Sequence, residues 1–206
     1  MAIWAVTGGI ACGKSAVIQA FRQLGVTCYS ADTDARDVLT EQEVDRDVRA
    51  TFPDAIDEGG QLDRAKLGRL IFADAGRRAI LGQIMHPHIR ARMKARIEQN
   101  HASTQNILEL YEVPLLLEGG LETWFDGTIC VTCNPEIQKQ RLVDRHFSRY
   151  QTMLSDEEVQ QVLGSQLPVS EKADRSDIVI DNSSSEADLI RAVANVFAIL
   201  SIKAKP

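Results

Sequence analysis

The sequence predicts an α/β fold in which a parallel sheet is covered by helices on both faces. Three observations carry this. Short apolar runs alternate with segments of helical spacing, the pattern that sets strands side by side with helices returning over them. The first apolar run leads into a glycine-rich turn and then a helix, the opening of a βαβ unit. A long, almost wholly helical stretch from Asp32 to about Asn100 interrupts the alternation and reads as an insertion.

Each element has its own reason. Ala2 to Val6 is a short apolar run, hence a strand, and Thr7 to Ser15 is the glycine-rich turn. Between Ala16 and Leu24 the apolar residues Val17, Ile18, Phe21 and Leu24 recur at helical spacing, and Gly25 is a suitable stop. Val26 to Tyr29 is the second strand. Within the insertion, Asp63 can cap a helix carrying Leu67, Leu70, Ile71 and Phe72. Ala79 to Met85 reads as another helix, and Pro87 as the start of the next, where its missing N–H costs nothing. Ile107 to Val113 is a strand running into Pro114-Leu115-Leu116-Leu117. Thr128 to Cys133 is a further strand, and Pro135 to Arg145 a basic helix. Ser155 and Glu158 have the spacing of a capping box for a helix over Asp156 to Leu163. Ile178 to Ile180 is the last strand. Ser185 with Asp188 opens a final helix whose apolar face holds Leu189, Val193, Val196, Phe197 and Leu200. No repeat, low-complexity tract or interdomain linker is visible, so residues 1–206 read as a single domain.

Composition narrows the function classes. The chain is 44% hydrophobic and 25% charged, the balance of a soluble globular protein. Its net charge of -6 speaks against nucleic acid as a partner, so any phosphate-binding charge is local. The start, MAIWAVTGGI, lacks a signal peptide's basic n-region and long apolar stretch. Nowhere do about 18 apolar residues run together. The expected setting is cytoplasmic, with no membrane partner, and the oligomeric state is not legible. Cys130 and Cys133 have C-x-x-C spacing, but Cys12 and Cys28 lie singly and far upstream, so no zinc set is complete. The Cys130 run reads as a buried strand in which cysteine acts as a small hydrophobe.

The sharpest motif is Gly8-Gly9-Ile10-Ala11-Cys12-Gly13-Lys14-Ser15, which matches G-x-x-x-x-G-K-[ST] between a strand and a helix. Gly8 and Gly13 let the backbone turn tightly and approach phosphates. The N–H groups of Gly9 to Ala16, at a helix N-terminus, then face the anion. Lys14 reaches the terminal phosphates of ATP, and the Ser15 hydroxyl ligates Mg2+. No N-K-x-D segment for guanine recognition is present. The length favours a small-molecule kinase over a motor-sized ATPase. Cys12 supports two readings. Beside a helix N-terminus and an ammonium its thiol would have a lowered pKa and meet solvent; turned inward it would pack as an inert hydrophobe.

Further segments fall in a consistent order. They are Ala31-Asp32 with Ala35-Arg36, Leu62-Asp63-Arg64 with Leu67 and Phe72, and His86-Pro87-His88-Ile89. Val113-Pro114-Leu115-Leu116-Leu117-Glu118, Gln140-Arg141-Leu142 with Arg145, Gln166, and Asp181-Asn182-Ser183 follow. Together with Thr7-Gly8-Gly9-Ile10 and Gly13-Lys14-Ser15, they resemble the dephospho-coenzyme A kinases over nearly the whole chain. Departures exist. Ser30 stands where that family usually has the first aspartate of D-A-D, Ala11-Cys12 replaces a commoner Gly-Ser, Ala16 a commoner threonine, and His146 to Met153 looks longer than usual.

The resemblance implies a P-loop kinase fold with a helical acceptor-binding insertion at about 40–105 and a lid at about 141–173. It implies transfer of the ATP γ-phosphoryl to the ribose 3′-hydroxyl of dephospho-coenzyme A. A hydroxyl nucleophile benefits from a carboxylate that takes its proton. Asp32, at the carboxyl end of the second strand where open α/β sheets bind ligands, is the candidate base; it would also serve as an N-cap for Thr33 to Leu39. Arg141 and Arg145 lie one helical turn apart. The resemblance favours Arg141 as the group that neutralises the transferring phosphate, while Arg145 equally suits a solvated basic face. It also places Asn182 at the nucleotide. Glu112 is either a group that helps order magnesium or a surface carboxylate at a strand end. His86 and His88 are too few for a metal site and suit capping or an acceptor pocket. The rivals are another P-loop kinase, for nucleoside monophosphates or shikimate, and a nucleotide-binding regulatory module without transfer activity.

Overall fold

Every residue of β1 (Ala2–Gly8) is buried, as befits the middle strand of a parallel sheet with neighbours on both edges and helices on both faces. The computed structural model describes residues 2–103 and 108–203, without the side chains of Phe72, Ile202 and Lys203. The sheet is five-stranded, ordered β2-β3-β1-β4-β5, with β2 (Thr27–Ser30), β3 (Leu108–Glu112), β4 (Gly127–Thr132) and β5 (Ile178–Asp181). All pairings are parallel. The chain winds outward to β2 and back to β3 on one side of β1, then crosses to β4 and β5. The order therefore reverses at β1, and ligands of such sheets bind at the carboxyl ends of the strands beside that reversal. The expected strand over Ile107 to Val113 is observed as β3; Ile107 itself lies outside the described residues.

The chain divides into two compact units, Met1–Ser30 with Ile97–Pro206, and Ala31–Arg96. The first holds the sheet and its core. Val17, Ile18 and Phe21 of α1 (Lys14–Gln23), Leu110, Ile129 and Val131 from the strands, and Val193, Val196 and Leu200 of α9 (Glu186–Lys203) form one cluster. Asn134, which the sequence reading does not single out, accepts from the Glu136 amide at the head of α6 (Pro135–Tyr150). The two caps expected in this unit are present. Ser155 and Glu158 close a reciprocal capping box on α7 (Asp156–Leu163). Ser185 and Asp188 exchange bonds at the head of α9. The short α8 (Val169–Asp174), which the sequence pattern does not announce, completes this unit.

The second unit is helical, built from α2 (Ala31–Val38), α3 (Gln42–Thr51), α4 (Arg64–Ala73) and the greater part of α5 (Ala75–Ala102). Val38, Val44, Val48, Phe52, Leu67, Leu81 and Met85 form its core. Asp63 caps α4, accepting from the Ala65 and Lys66 amides at 2.9 Å. One expectation is corrected. Instead of two helices divided near Pro87, a single 28-residue helix contains that proline. Pro87 cannot donate to the Gln83 carbonyl, yet Leu81, Met85 and Ile89 all face the unit's core. Buried Met93 continues that row of every fourth residue. Packing of an unbroken apolar stripe outweighs the one lost bond. A second correction concerns Asp32, which lies within the first turn of α2 rather than capping it.

Candidate active site

The phosphate loop is a tightly closed turn, for reasons visible at three residues. Gly8 has φ 143°, and a Cβ there would lie 2.3 Å from the Val131 carbonyl oxygen of the paired strand. Gly13 has φ 91°, and a Cβ there would fall 2.1 Å from the Asn182 amide nitrogen. Both positions therefore demand glycine. Ala11 has φ 61° with a side chain in place, a strain of about 1 kcal/mol that the loop's other contacts must hold.

Those contacts are specific. Asn182 donates its side-chain amide to the Cys12 carbonyl at 2.9 Å. Gln138 of α6 donates to the Ile10 carbonyl at 2.8 Å. A Cβ on Gly9 would strike Val169 of α8 at 2.3 Å, so that helix lies directly against the loop. Lys14 folds over the loop and donates to the Gly8 and Gly9 carbonyls, at 3.0 and 2.9 Å. The Ala16 amide donates to Gly13 at 3.0 Å as α1 begins. Ser15 and Ala16 are exposed on that first turn.

Arg141 approaches from α6. Its Nη1 would stand 3.7 Å from a Cβ on Gly13. That nitrogen is buried and has no hydrogen-bond partner among the described residues. A guanidinium donor left unsatisfied inside protein is costly unless an acceptor arrives, and a phosphate oxygen is the acceptor its fork suits. One unit thus gathers Gly9, Ile10, Ala11, Cys12, Gly13, Lys14, Ser15, Ala16, Arg141 and Asn182 around a single loop. Arg145, one turn on, is exposed. Asp32 belongs to the other unit, exposed on α2 two residues past the end of β2. Glu112 closes β3, in register with Val6 and Ser30.

Cys12 resolves to the second of its two readings. Its side chain is fully buried in the sheet core. Burial first, then the neighbouring Cys133, pushes its thiol up to about 12. Lys14 opposes this without reversing it, so the thiolate needed for reactivity is not formed near neutral pH. Burial likewise raises Cys28 and Cys130 to about 11. All four cysteines are free. Among the described residues no group of three or more His, Cys, Asp or Glu side chains could hold a metal. His86 lies over Gly82 one turn earlier on α5, 3.0 Å from a Cβ built there, and His88 sits 3.4 Å from Glu41. Sequence reasoning missed Gln138 and Val169, whose contacts with the loop come from segments more than 100 residues away.

The family model of dephospho-CoA kinase matches residues 2–188. The chain belongs to the dephospho-CoA kinase family. A dephospho-CoA kinase of Synechococcus sp. (strain JA-3-3Ab) is 37% identical over 209 residues, covering 92% of this chain and 88% of that protein. One of Enterococcus faecalis is 36% identical over 179 residues, covering 86% of each. Among solved structures, dephospho-CoA kinase from Campylobacter jejuni matches with a TM-score of 0.74 at 27% identity over 98% of both chains. A shikimate kinase from Acinetobacter baumannii, at 17% identity and a TM-score of 0.52, shares the fold only. Membership of the dephospho-CoA kinase family accounts for the order of segments from Thr7 to Ser183, and the fold is that of P-loop kinases.

Proposed function

We infer that this chain is a dephospho-CoA kinase, an ATP-dependent phosphotransferase that gives coenzyme A and ADP. The observation that carries the reading is the buried, unpartnered Arg141 Nη1 beside a glycine-dependent phosphate loop, in a chain matched by this family from residue 2 to 188. The ATP phosphates lie along the amides of Gly9 to Ala16, where the head of α1 favours negative charge. Lys14 leaves the Gly8 and Gly9 carbonyls for the phosphate oxygens, exchanging two neutral acceptors for charged ones. Arg141 meets the charge that spreads over the transferring group. Asn182 and Gln138 keep the loop from relaxing as its strained Ala11 would otherwise allow.

Asp32 accepts the proton of the acceptor's ribose 3′-hydroxyl as that oxygen attacks phosphorus. With Ser30 in place of a second aspartate, the proton has this one carboxylate to go to in the segment's usual pair. The exposed Ser15 hydroxyl fits a Mg2+ ion that takes its other ligands from phosphates and water, because magnesium seldom needs a full protein cage. When bound, the ion neutralises charge on the β and γ phosphates. The segment from about residue 141 to 173 acts as a lid that excludes water. A cytoplasmic setting suits four free cysteines.

Acceptor choice tests the assignment. With ATP at saturation, ADP release is measured with dephospho-CoA, AMP and shikimate. Dephospho-CoA should give a kcat/KM about 100-fold or more above the others. Comparable or better turnover of AMP or shikimate would overturn it.

A further inference from the structure

Two charged side chains are fully buried among the described residues, Asp34 and Lys172. Asp34 pairs with Arg96 at 2.6 Å within the helical unit. Lys172 does something less local. From α8 its ammonium donates to the Pro114 carbonyl at 2.9 Å and pairs with Glu118 at 2.8 Å. The same Pro114 carbonyl accepts from the Thr7 hydroxyl at 3.3 Å, and Thr7 is the residue before Gly8. The same Glu118 oxygen accepts from the Leu167 amide at 3.0 Å. One turn before Lys172 on the same helix, Val169 touches Gly9. Lys172 thus ties together the entry to the phosphate loop, the turn after β3 and the helix that abuts Gly9, all within one unit.

Stability alone does not call for an ammonium here. Taking a charge fully out of water is expensive, and an apolar side chain of similar length often serves a core as well or better. What the ammonium adds is direction, because short charge-assisted bonds fix their partners where apolar contact would let them slide. We propose that Lys172 is a positioning residue for ATP: through Pro114 and Thr7 on one side, and through the seating of Val169 on the other, it sets Gly8 and Gly9 where their loop receives the phosphates. The proposal rests on the loop being the ATP site.

Its test reads ATP binding directly, by equilibrium dialysis without acceptor, alongside kcat, KM and Tm. Lys172→Met keeps the stem and removes the ammonium. Lys172→Arg keeps the charge. Leu200→Ala opens a cavity in the fully buried core of the same unit and controls for lost stability. Lys172→Met should raise the ATP Kd roughly 10- to 100-fold, with kcat falling as well. Lys172→Arg should recover most of that. Leu200→Ala should lower Tm while leaving the ATP Kd within about twofold. A folded Lys172→Met whose ATP Kd and kcat stay within about twofold of the parent overturns the proposal, as does an arginine variant no better than the methionine one. Should Lys172→Met not fold, Glu118→Gln decides: a several-fold weaker ATP Kd supports positioning, and an unchanged one refutes it. Parent protein that binds ATP but does not phosphorylate dephospho-CoA would sink the functional reading, leaving ATP affinity to judge Lys172.

Discussion

Ala11 and Cys12 show what a motif does and does not disclose. The spacing of Gly8, Gly13, Lys14 and Ser15 states the chemistry outright, because only those residue types permit the turn, the cation and the hydroxyl. The orientation of the Cys12 thiol was not legible. It is set by packing into a core assembled from distant segments, among them Cys133, which follows β4 more than 100 residues later. The same holds for Asn182, whose bond to the Cys12 carbonyl makes it a brace of the loop. Asp32 was legible as a carboxylate after a strand, but α2 begins two residues earlier than a cap at Asp32 requires. Its proposed role has a sharp consequence. Asp32→Asn is isosteric at an exposed position, so the fold should survive. Steady-state kinetics should show kcat falling about 100- to 1000-fold, with a smaller change in the KM for ATP. Unchanged kcat would remove Asp32 from the proton transfer.

At the level of elements, caps and stops were the readable features. Asp63, Ser155 and Ser185 each open the helix their residue type announces, since capping is decided by groups within three residues. Pro87 was misread because the local rule for proline ignores what an apolar row at every fourth residue gains by staying in one helix. The six residues of α8 carry little periodicity to read, and Lys172, a charged residue in a core, gives an inverted signal. The segment from Arg141 to Ala173, proposed as the lid, ends on that anchored helix. Its start lies on α6, where Phe147 and Tyr150 are exposed, as is Met153 just beyond. Hydrogen exchange should slow between about residues 141 and 165 when ATP and dephospho-CoA are both bound, as the segment closes. The stretch near Lys172 should already exchange slowly without ligands, held by Glu118 and Pro114. No ligand effect on 141–165 would exclude a lid there.

Across the whole molecule, the parallel sheet followed from alternating apolar runs and helices, and the reversal of strand order at β1 explains why the phosphate loop follows that strand. The order β2-β3-β1-β4-β5 was not itself legible, because no strand's residues state its neighbour. The helical character of the second unit was evident in its spacing, while its own core appears only once α2, α3, α4 and α5 are assembled. The central claim concerns where one phosphorus atom goes. Phosphorus NMR of the protein with ATP, Mg2+ and dephospho-CoA follows it. The account predicts a new monoester phosphorus on the ribose 3′ oxygen, appearing mole for mole with ADP. ADP with inorganic phosphate and no such monoester, or a monoester elsewhere on the acceptor, would contradict it.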